Sequence, residues 1–472
     1  MKVPPLTEIF GQGDHGYNTF RIPAIVYNRR TFLAFCEARK SSFRDWGSMD
    51  LVLRRGILKD DQVVWGDIQV ITSMPEYRTM NPVPIVNKRN GGIVLVFVAF
   101  PQDLSEADLI KADEYQQKLL VTRSRDNGLT WSEPRDITEV TLGKMDPRPN
   151  LYAPGPGHGI QLSSGRLVVS GNVFWKPPPE PGFLAEIKHK ILEFFDSFYS
   201  AQCRSMVIYS DDGGDTWEKG GEVPAAFDQD GQLVNANECQ IVEFNDGRTY
   251  INSRTLGIQT PRQQAFSQDG CLTFNPGELA PHLHEPGYTL TKWIPSVRNF
   301  GGCQASILGF HAPGHIPPDA YDTTTWVLFS NPASNESRVN MSVRLSRNGC
   351  RTWSAPWQLN PGASAYSDLV GYETRPNGGG LGAAPLLNFA CLYECGSLHP
   401  YERIVFQTFT LEEMMEGVGM ATKKAESLLE EKRAKERADG HAGAKPAPQP
   451  QPEPKPEPEP EPQPKAEPQP ET

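Results

Sequence analysis

Three arginines stand where predicted strands begin or end. Arg21 lies between apolar residues, Arg254 directly follows the strand segment Tyr250–Ser253, and Arg338 follows a polar loop. A single arginine is usually a surface residue. Several strand ends can converge near one axis, however, and a cluster of guanidinium forks there needs an anionic partner, for which a carboxylate fits best. The three arginines therefore predict a binding site for a carboxylate.

Three further residues combine with the arginines. Tyr366 stands in a predicted polar loop after Pro361-Gly362, Glu238 begins an apolar strand, and Asp45 lies in a loop before Leu51-Val-Leu-Arg54. Taken alone, each of them would be read as structural. Their combination with the arginines is what favours a catalytic site.

An eight-residue phrase, Ser-x-Asp-x-Gly-x-Thr-Trp, defines the elements that must position these residues. Two good copies begin at Ser124 and Ser210, and two degraded copies begin at Ser267 and Ser346. The Ser and Asp side chains can bond to the backbone of a tight turn, Gly supplies a positive φ, and Thr and Trp begin the next strand. Copies at this spacing predict one β-propeller blade each.

Short runs rich in Val, Ile, Phe and Tyr, separated by turn residues, predict an all-β domain over residues 1–410. Segments 105–114 and 184–198 read as small helical insertions. Segment 411–437 reads as a helix, within a linker predicted over 411–440. Residues 441–472 alternate Pro with Glu, Gln, Lys and Ala, which predicts a disordered tail. Two readings of this tail remain open: a solvated spacer, or a docking site for an unknown protein.

Composition excludes several function classes. The net charge of −11 argues against a nucleic-acid partner, which needs a basic face. Eight scattered cysteines predict buried free thiols. No cofactor or metal is predicted, because no metal-ligand spacing is evident. No apolar run is long enough for a membrane span. Residues 1–10 do not resemble a signal peptide, which favours the cytoplasm, with a lysosomal or peripheral-membrane location as the alternative.

Several motifs together resemble the animal exo-α-sialidases over residues 8–410. They are Phe20–Pro23, the turn phrase, Glu37–Arg39, Arg78–Pro82, Ala153–Gly157, Glu238–Gln240, Asn331–Arg338 and Ala365–Leu369. Some stretches are similar to the cytosolic member and others to the lysosomal member. The resemblance implies a six-bladed β-propeller and hydrolysis of terminal α-linked sialic acid.

The resemblance also implies a role for each central residue. Arg21, Arg254 and Arg338 match the triad that grips the sialic-acid carboxylate. Tyr366 matches the nucleophile, Glu238 its base and Asp45 the general acid/base. Tyrosine suits this reaction because a carboxylate nucleophile would be repelled by the substrate carboxylate, and sialidases are the tyrosine exception among glycosidases.

Supporting roles follow from the same resemblance. Glu37 is expected to orient Arg21, and Arg39 to reach either the N-acyl side or the general acid. Met80 and Asn81 match positions around the N-acyl pocket. The stretch Ser170–Trp175 departs from the cytosolic member, which leaves the contacts to the glycerol chain of the sugar open.

The expected activity is that of a retaining exo-α-sialidase acting on glycoproteins, gangliosides and oligosaccharides. Two alternatives remain open. A sialic-acid-binding lectin would need only the arginines. A trans-sialidase would need an aromatic acceptor platform, for which Trp46 and Trp175 are the candidates.

Overall fold

The computed structural model describes residues 5–60, 62–176, 202–228, 230–231, 233–256, 261–287, 301–314, 324–375 and 385–442. The predicted helix at 184–198 and most of the predicted tail lie outside these residues. Within the described part of the chain, no helix has both the length and the apolar composition of a membrane span.

Strands account for most of the described chain. In order they are β1 (Thr7–Gly11), β2 (Thr19–Asn28), β3 (Thr31–Arg39), β4 (Met49–Lys59), β5 (Gln62–Thr72), β6 (Tyr77–Asn87), β7 (Gly92–Pro101), β8 (Lys118–Ser124), β9 (Arg135–Asp136), β10 (Leu151–Pro154), β11 (Ile160–Gln161), β12 (Leu167–Trp175), β13 (Gln202–Ser210), β14 (Glu218–Glu222), β15 (Ala226–Phe227), β16 (Leu233–Val234), β17 (Ala236–Glu243), β18 (Thr249–Thr255), β19 (Pro261–Ser267), β20 (Glu278–His284), β21 (Ser306–His311), β22 (Thr325–Pro332), β23 (Val339–Ser346), β24 (Trp357–Thr374), β25 (Leu386–Gly396) and β26 (Arg403–Thr410).

The sheets form a propeller-like series of antiparallel blades. Three four-stranded sheets have the orders β2-β3-β4-β5, β6-β7-β8-β9 and β17-β18-β19-β20, and a five-stranded sheet contains β10 to β14. The remaining large sheet has the order β1-β26-β25-β24-β23-β22-β21. The N-terminal strand β1 therefore pairs with β26, near the other end of the described chain, at the edge of this sheet. The all-β prediction is confirmed, with four separate blades.

The 18-residue strand β24 connects two parts of the large sheet. Its first half pairs with β23, and its second half, from Ala363 onward, pairs with β25. The predicted polar loop around Tyr366 is wrong, because this residue lies within β24. Pro361-Gly362 suggested a turn, but it stands beside the point where the strand changes partner.

Helices are few among the residues that the structure describes. They are α1 (Glu106–Lys111), α2 (Thr138–Thr141), α3 (Leu411–Ala442) and one 3-10 turn (Asp14–Gly16). The capping box of Ser105 and Asp108 fixes the start of α1, close to the prediction. Met414 and Val418, near the start of α3, are buried against the core that contains Trp357. By internal contacts, the chain divides into Met1–Thr422 and Lys423–Thr472.

The four turn phrases make one shared set of hydrogen bonds. The first Ser accepts from the backbone N–H four residues later, which belongs to Gly128, Gly214, Cys271 and Cys350 in the four copies. These residues all have positive φ, between 64° and 98°. The degraded copies therefore keep the turn, although Cys271 and Cys350 bear the cost of a left-handed conformation that Gly adopts freely.

One buried carboxylate joins the innermost strands of several sheets. Asp368 on β24 accepts from the backbone N–H of Ile25 at 2.8 Å, from the Gln240 side chain at 2.9 Å and from the Ser306 hydroxyl at 2.9 Å. It also accepts from the backbone and ring nitrogens of His158. Every cysteine is a buried free thiol, as predicted.

Candidate active site

Irregular pairing re-aims side chains on four inner strands at one end of the blades. The register shifts between Arg21 and Ala24 on β2, between Met80 and Val83 on β6, between Ala236 and Cys239 on β17, and between Ser364 and Ser367 on β24. Bulges of this kind bend a strand and change where its side chains point, and they concentrate next to active sites. Arg21, Asn81, Glu238 and Tyr366 lie in or beside these irregularities.

Strain accompanies the bulge on β2. Ile22 has a φ of 61°, which is unusual for a β-branched residue. Its backbone N–H donates to Glu394 Oε1 at 2.9 Å. Arg21 Nε donates to the same oxygen at 3.1 Å. The fully buried Glu394 carboxylate therefore holds the strained segment and aims Arg21 into the site.

Tyr366, Glu238 and Arg254 form one hydrogen-bonded cluster. The Tyr366 hydroxyl donates to Glu238 Oε1 in a short contact. Arg254 Nη1 donates to Glu238 Oε2 at 2.8 Å and to the Tyr366 hydroxyl at 3.1 Å. The phenol therefore has a carboxylate as its proton acceptor and a guanidinium beside its oxygen.

The other two arginines flank the ring of Tyr366. The guanidinium carbon of Arg21 lies 5.2 Å from the ring centroid and that of Arg338 lies 5.5 Å from it. Arg338 Nη1 donates to the hydroxyl of Tyr401 at 3.0 Å, and Arg21 lies over the Tyr401 ring at 4.1 Å. The structure therefore brings the three predicted arginines together around one tyrosine.

Asp45 belongs to the connection between β3 and β4, residues 40–48, which we name the Asp45 loop. Its carboxylate pairs with Arg39 at 2.8 Å and with Arg21 at 3.3 Å, and its side chain is 55% exposed. Arg39 pairs in turn with Glu37, which accepts from the backbone N–H of Asn81 at 2.8 Å. The expectation that Glu37 orients Arg21 is wrong, because Glu394 makes that contact.

A cavity of about 490 Å³ collects most of the predicted residues. Its lining includes Arg21, Asp45, Met80, Asn81, Glu238, Arg254, Arg338 and Tyr366, together with Asn172, Phe174, Glu106 and Tyr401. Glu37 and Arg39 are buried behind this lining. The predicted departure at Ser170–Trp175 thus supplies two cavity residues, Asn172 and Phe174.

The environment shifts several pKa values in the cavity. Burial, then the Glu238 carboxylate, raise the pKa of Tyr366 well above its usual value, although the three arginines oppose the shift. Desolvation in the cavity acts to raise the pKa of Asp45, but the positive charges of Arg39 and Arg21 outweigh it, and the pKa is lowered. Desolvation, then the Asp45 carboxylate, raise the pKa of Glu106 to about 7. The free site therefore holds a neutral phenol and an ionised Asp45.

Comparison with known sequences identifies the family. A model of the BNR repeat-like domain matches residues 30–377. Sialidase-3 of Mus musculus is 32% identical, with coverage of 88% of this chain and 97% of that protein. Sialidase-4 of Homo sapiens is 30% identical, with coverage of 89% and 96%. The chain belongs to the animal sialidase family. Its enzymatic class is accordingly that of an exo-α-sialidase, a glycoside hydrolase.

Solved structures agree on the fold of the sialidase. The microbial sialidase Hz136 aligns with a TM-score of 0.63 at 20% identity and covers 86% of this chain and 68% of that one. Trypanosoma rangeli sialidase in complex with the inhibitor DANA aligns with a TM-score of 0.62 at 17% identity, covering 89% and 62%. The same enzyme has been solved with 2,3-difluorosialic acid as a covalent intermediate.

Sequence reasoning missed two residues that shape the site of this sialidase. Glu394 is the single charged residue in the mostly apolar strand β25, and a buried charge needs a partner. That rule could have identified Glu394 as a residue that needs a partner, but it could not have identified Arg21 as the partner. Tyr401 contacts both Arg21 and Arg338, and its position in a short turn region gave no comparable signal.

Proposed function

We propose that the sialidase hydrolyses terminal α-sialosides with retention, through a covalent bond between Tyr366 and the anomeric carbon. The supporting observation is the Tyr366 hydroxyl that donates to Glu238 while Arg254 contacts both groups. A neutral tyrosine approaches an anomeric carbon that carries a carboxylate without charge repulsion. A six-bladed propeller is part of the proposal, with β24 shared between the last two blades.

The first step forms the bond from Tyr366 Oη to the anomeric carbon and breaks the bond from that carbon to the aglycone oxygen. Glu238 takes the phenolic proton, which is necessary because the Tyr366 pKa is raised. Asp45 gives a proton to the departing oxygen. Arg21, Arg254 and Arg338 bind the substrate carboxylate and remain paired with it as positive charge develops on the sugar ring.

Binding of the substrate prepares Asp45 for this role. In the free enzyme, Arg39 and Arg21 lower the Asp45 pKa and keep it ionised. A substrate carboxylate on Arg21 offsets the positive charge of that arginine, which raises the Asp45 pKa. Binding of an anionic sugar therefore favours the protonated form of Asp45, which is the form that can donate a proton.

Water completes the reaction. Asp45, now ionised, takes a proton from water, which attacks the anomeric carbon and releases Tyr366. The proton held by Glu238 returns to the phenolate. Two inversions at the same carbon give net retention. Glycoproteins, gangliosides and oligosaccharides with terminal sialic acid are the proposed substrates, and the cytoplasm is the proposed location.

Replacing Tyr366 by Phe tests the mechanism, since it removes one oxygen and leaves the ring between Arg21 and Arg338. Hydrolysis of a fluorogenic α-sialoside should fall by at least about 1,000-fold. Tyr401→Phe is the matched control, because its hydroxyl contacts Arg338 and not Glu238. We expect this control to lose about tenfold. Near-normal turnover by Tyr366→Phe would exclude the proposed nucleophile.

Trapping provides an independent measurement. Incubation with 2,3-difluorosialic acid followed by intact-mass and peptide analysis should place one sugar on Tyr366 in the wild type and none in Tyr366→Phe. Binding without wild-type turnover would favour the lectin alternative. Transfer of sialic acid to added lactose in preference to water would favour the trans-sialidase alternative.

A further inference from the structure

Two exposed aromatic side chains stand beside Asp45 at the cavity mouth. Phe43 is 44% exposed and Trp46 is 49% exposed, and both line the cavity. Isolated exposed aromatics are common on protein surfaces. These two belong to the same nine-residue loop as the general acid, and neither is needed by the steps assigned to Tyr366 and Glu238.

Local contacts hold both rings in place. Phe43 stacks on Tyr401 with a centroid distance of 5.5 Å and an interplanar angle of 20°, and its carbonyl accepts from Arg39 Nη1 at 2.5 Å. The guanidinium carbon of Arg44 lies 4.9 Å from the Trp46 ring centroid. The rings are thus ordered by neighbours, which lowers the entropic cost of binding a ligand on them.

We infer that Phe43 and Trp46 form a binding subsite for the first pyranose ring of the leaving group. This inference rests on the proposed role of Asp45. A general acid must lie within hydrogen-bond reach of the aglycone oxygen, so the sugar on the far side of that oxygen must lie against the loop that carries Asp45. Pyranose rings have an apolar C–H face and a polar edge, which suits an aromatic surface with a polar surround.

The expected consequence is selectivity for the leaving group. A substrate with a pyranose leaving group, such as 3′-sialyllactose, can use the subsite. Methyl α-sialoside has the same type of oxygen leaving group and no ring to bind. The two substrates therefore separate an effect on the subsite from an effect on Asp45 itself.

The experiment compares kcat/KM on both substrates for wild type, Phe43→Ala, Trp46→Ala and Trp46→Phe. Each Ala variant should lower the ratio of sialyllactose to methyl sialoside activity by roughly tenfold. Trp46→Phe should restore most of the ratio because it retains a ring. Phe227→Ala removes an exposed ring outside the cavity lining and should preserve the ratio.

Other outcomes overturn the inference in distinguishable ways. Equal losses on both substrates would show that the rings support the Asp45 loop and do not bind the aglycone. An unchanged ratio would show that the leaving group lies elsewhere. Failure of the wild type to hydrolyse either substrate would instead overturn the proposed function on which the inference rests.

Discussion

The floor and the rim of the active site are built from different parts of the chain. We define the floor as Arg21, Glu238, Tyr366 and Glu394, which lie on the strands β2, β17, β24 and β25. The rim consists of the Asp45 loop and α1, which connect strands. The Glu394 side chain is fully buried, whereas the Asp45 side chain is 55% exposed.

The two regions are positioned by different forces. Backbone pairing and shared carboxylates fix the floor, since Glu394 alone accepts from Arg21 and from the backbone N–H groups of Ile22 and Tyr366. The Asp45 carboxylate is held by two arginines. In the proposed mechanism, the nucleophile and its base therefore lie on paired strands, whereas the general acid lies on a short connecting loop.

The largest expected effect on stability comes from Glu394→Gln, which removes part of the floor. This change removes a buried negative charge beside Arg21 and weakens its contacts with the strained bulge. Loss of one partner from a buried ion pair typically destabilises a protein by about 3–5 kcal/mol, and we expect about 3 kcal/mol from urea unfolding. Activity should fall as well, because Arg21 loses its anchor.

Glu139→Gln is the matched control for this prediction. Glu139 also pairs with an arginine, Arg148 at 2.7 Å, but its side chain is 73% exposed. An exposed pair contributes about 1 kcal/mol or less. If both variants lost the same stability, burial would not distinguish the floor from the surface.

Asp45→Asn should affect chemistry without a comparable effect on the fold. General acid catalysis contributes typically about 100-fold or more when the leaving group is a poor one. We therefore expect about a 100-fold loss of kcat/KM on 3′-sialyllactose and a loss under about tenfold on 4-nitrophenyl sialoside, whose phenolate departs without a proton. Urea unfolding should change by less than about 1 kcal/mol. Equal losses on both substrates would contradict the assignment.

The local contacts of the site could be predicted from the sequence, but the long-range contacts of the floor could not. The turn phrases specify local hydrogen bonds, so the blades were predictable from residues within eight positions of each other. Glu37 and Arg39 lie two positions apart on a strand and therefore share a face, so their ion pair follows from the local sequence. The contact of Arg21 with Glu394 joins residues 373 positions apart. It exists because the last strands of the chain close against the first, and no local pattern specifies that closure.

Glu106 on α1 offers the most direct contrast with Glu394. Its ordinary pKa is 4.5, and desolvation together with Asp45 raises this pKa to about 7. A raised carboxyl pKa contributes stability that is fully present below about pH 4.5 and is lost as the pH rises through about 7.

The wild type loses this contribution as the pH rises, whereas a glutamine at position 106 does not titrate. The stability of Glu106→Gln relative to wild type should therefore increase from pH 5 to pH 8. We expect a relative gain of about 2 kcal/mol, measured by urea unfolding at the two pH values. The same carboxylate-to-amide change is thus predicted to weaken the floor at Glu394 and to relieve the rim at Glu106. The difference arises because Glu394 faces an arginine and two backbone N–H donors, whereas the largest influence on the Glu106 pKa after desolvation is another carboxylate, that of Asp45. If the stability difference between wild type and Glu106→Gln did not depend on pH, ionisation of Glu106 would not destabilise the protein. The contrast between the rim and the floor would then be wrong.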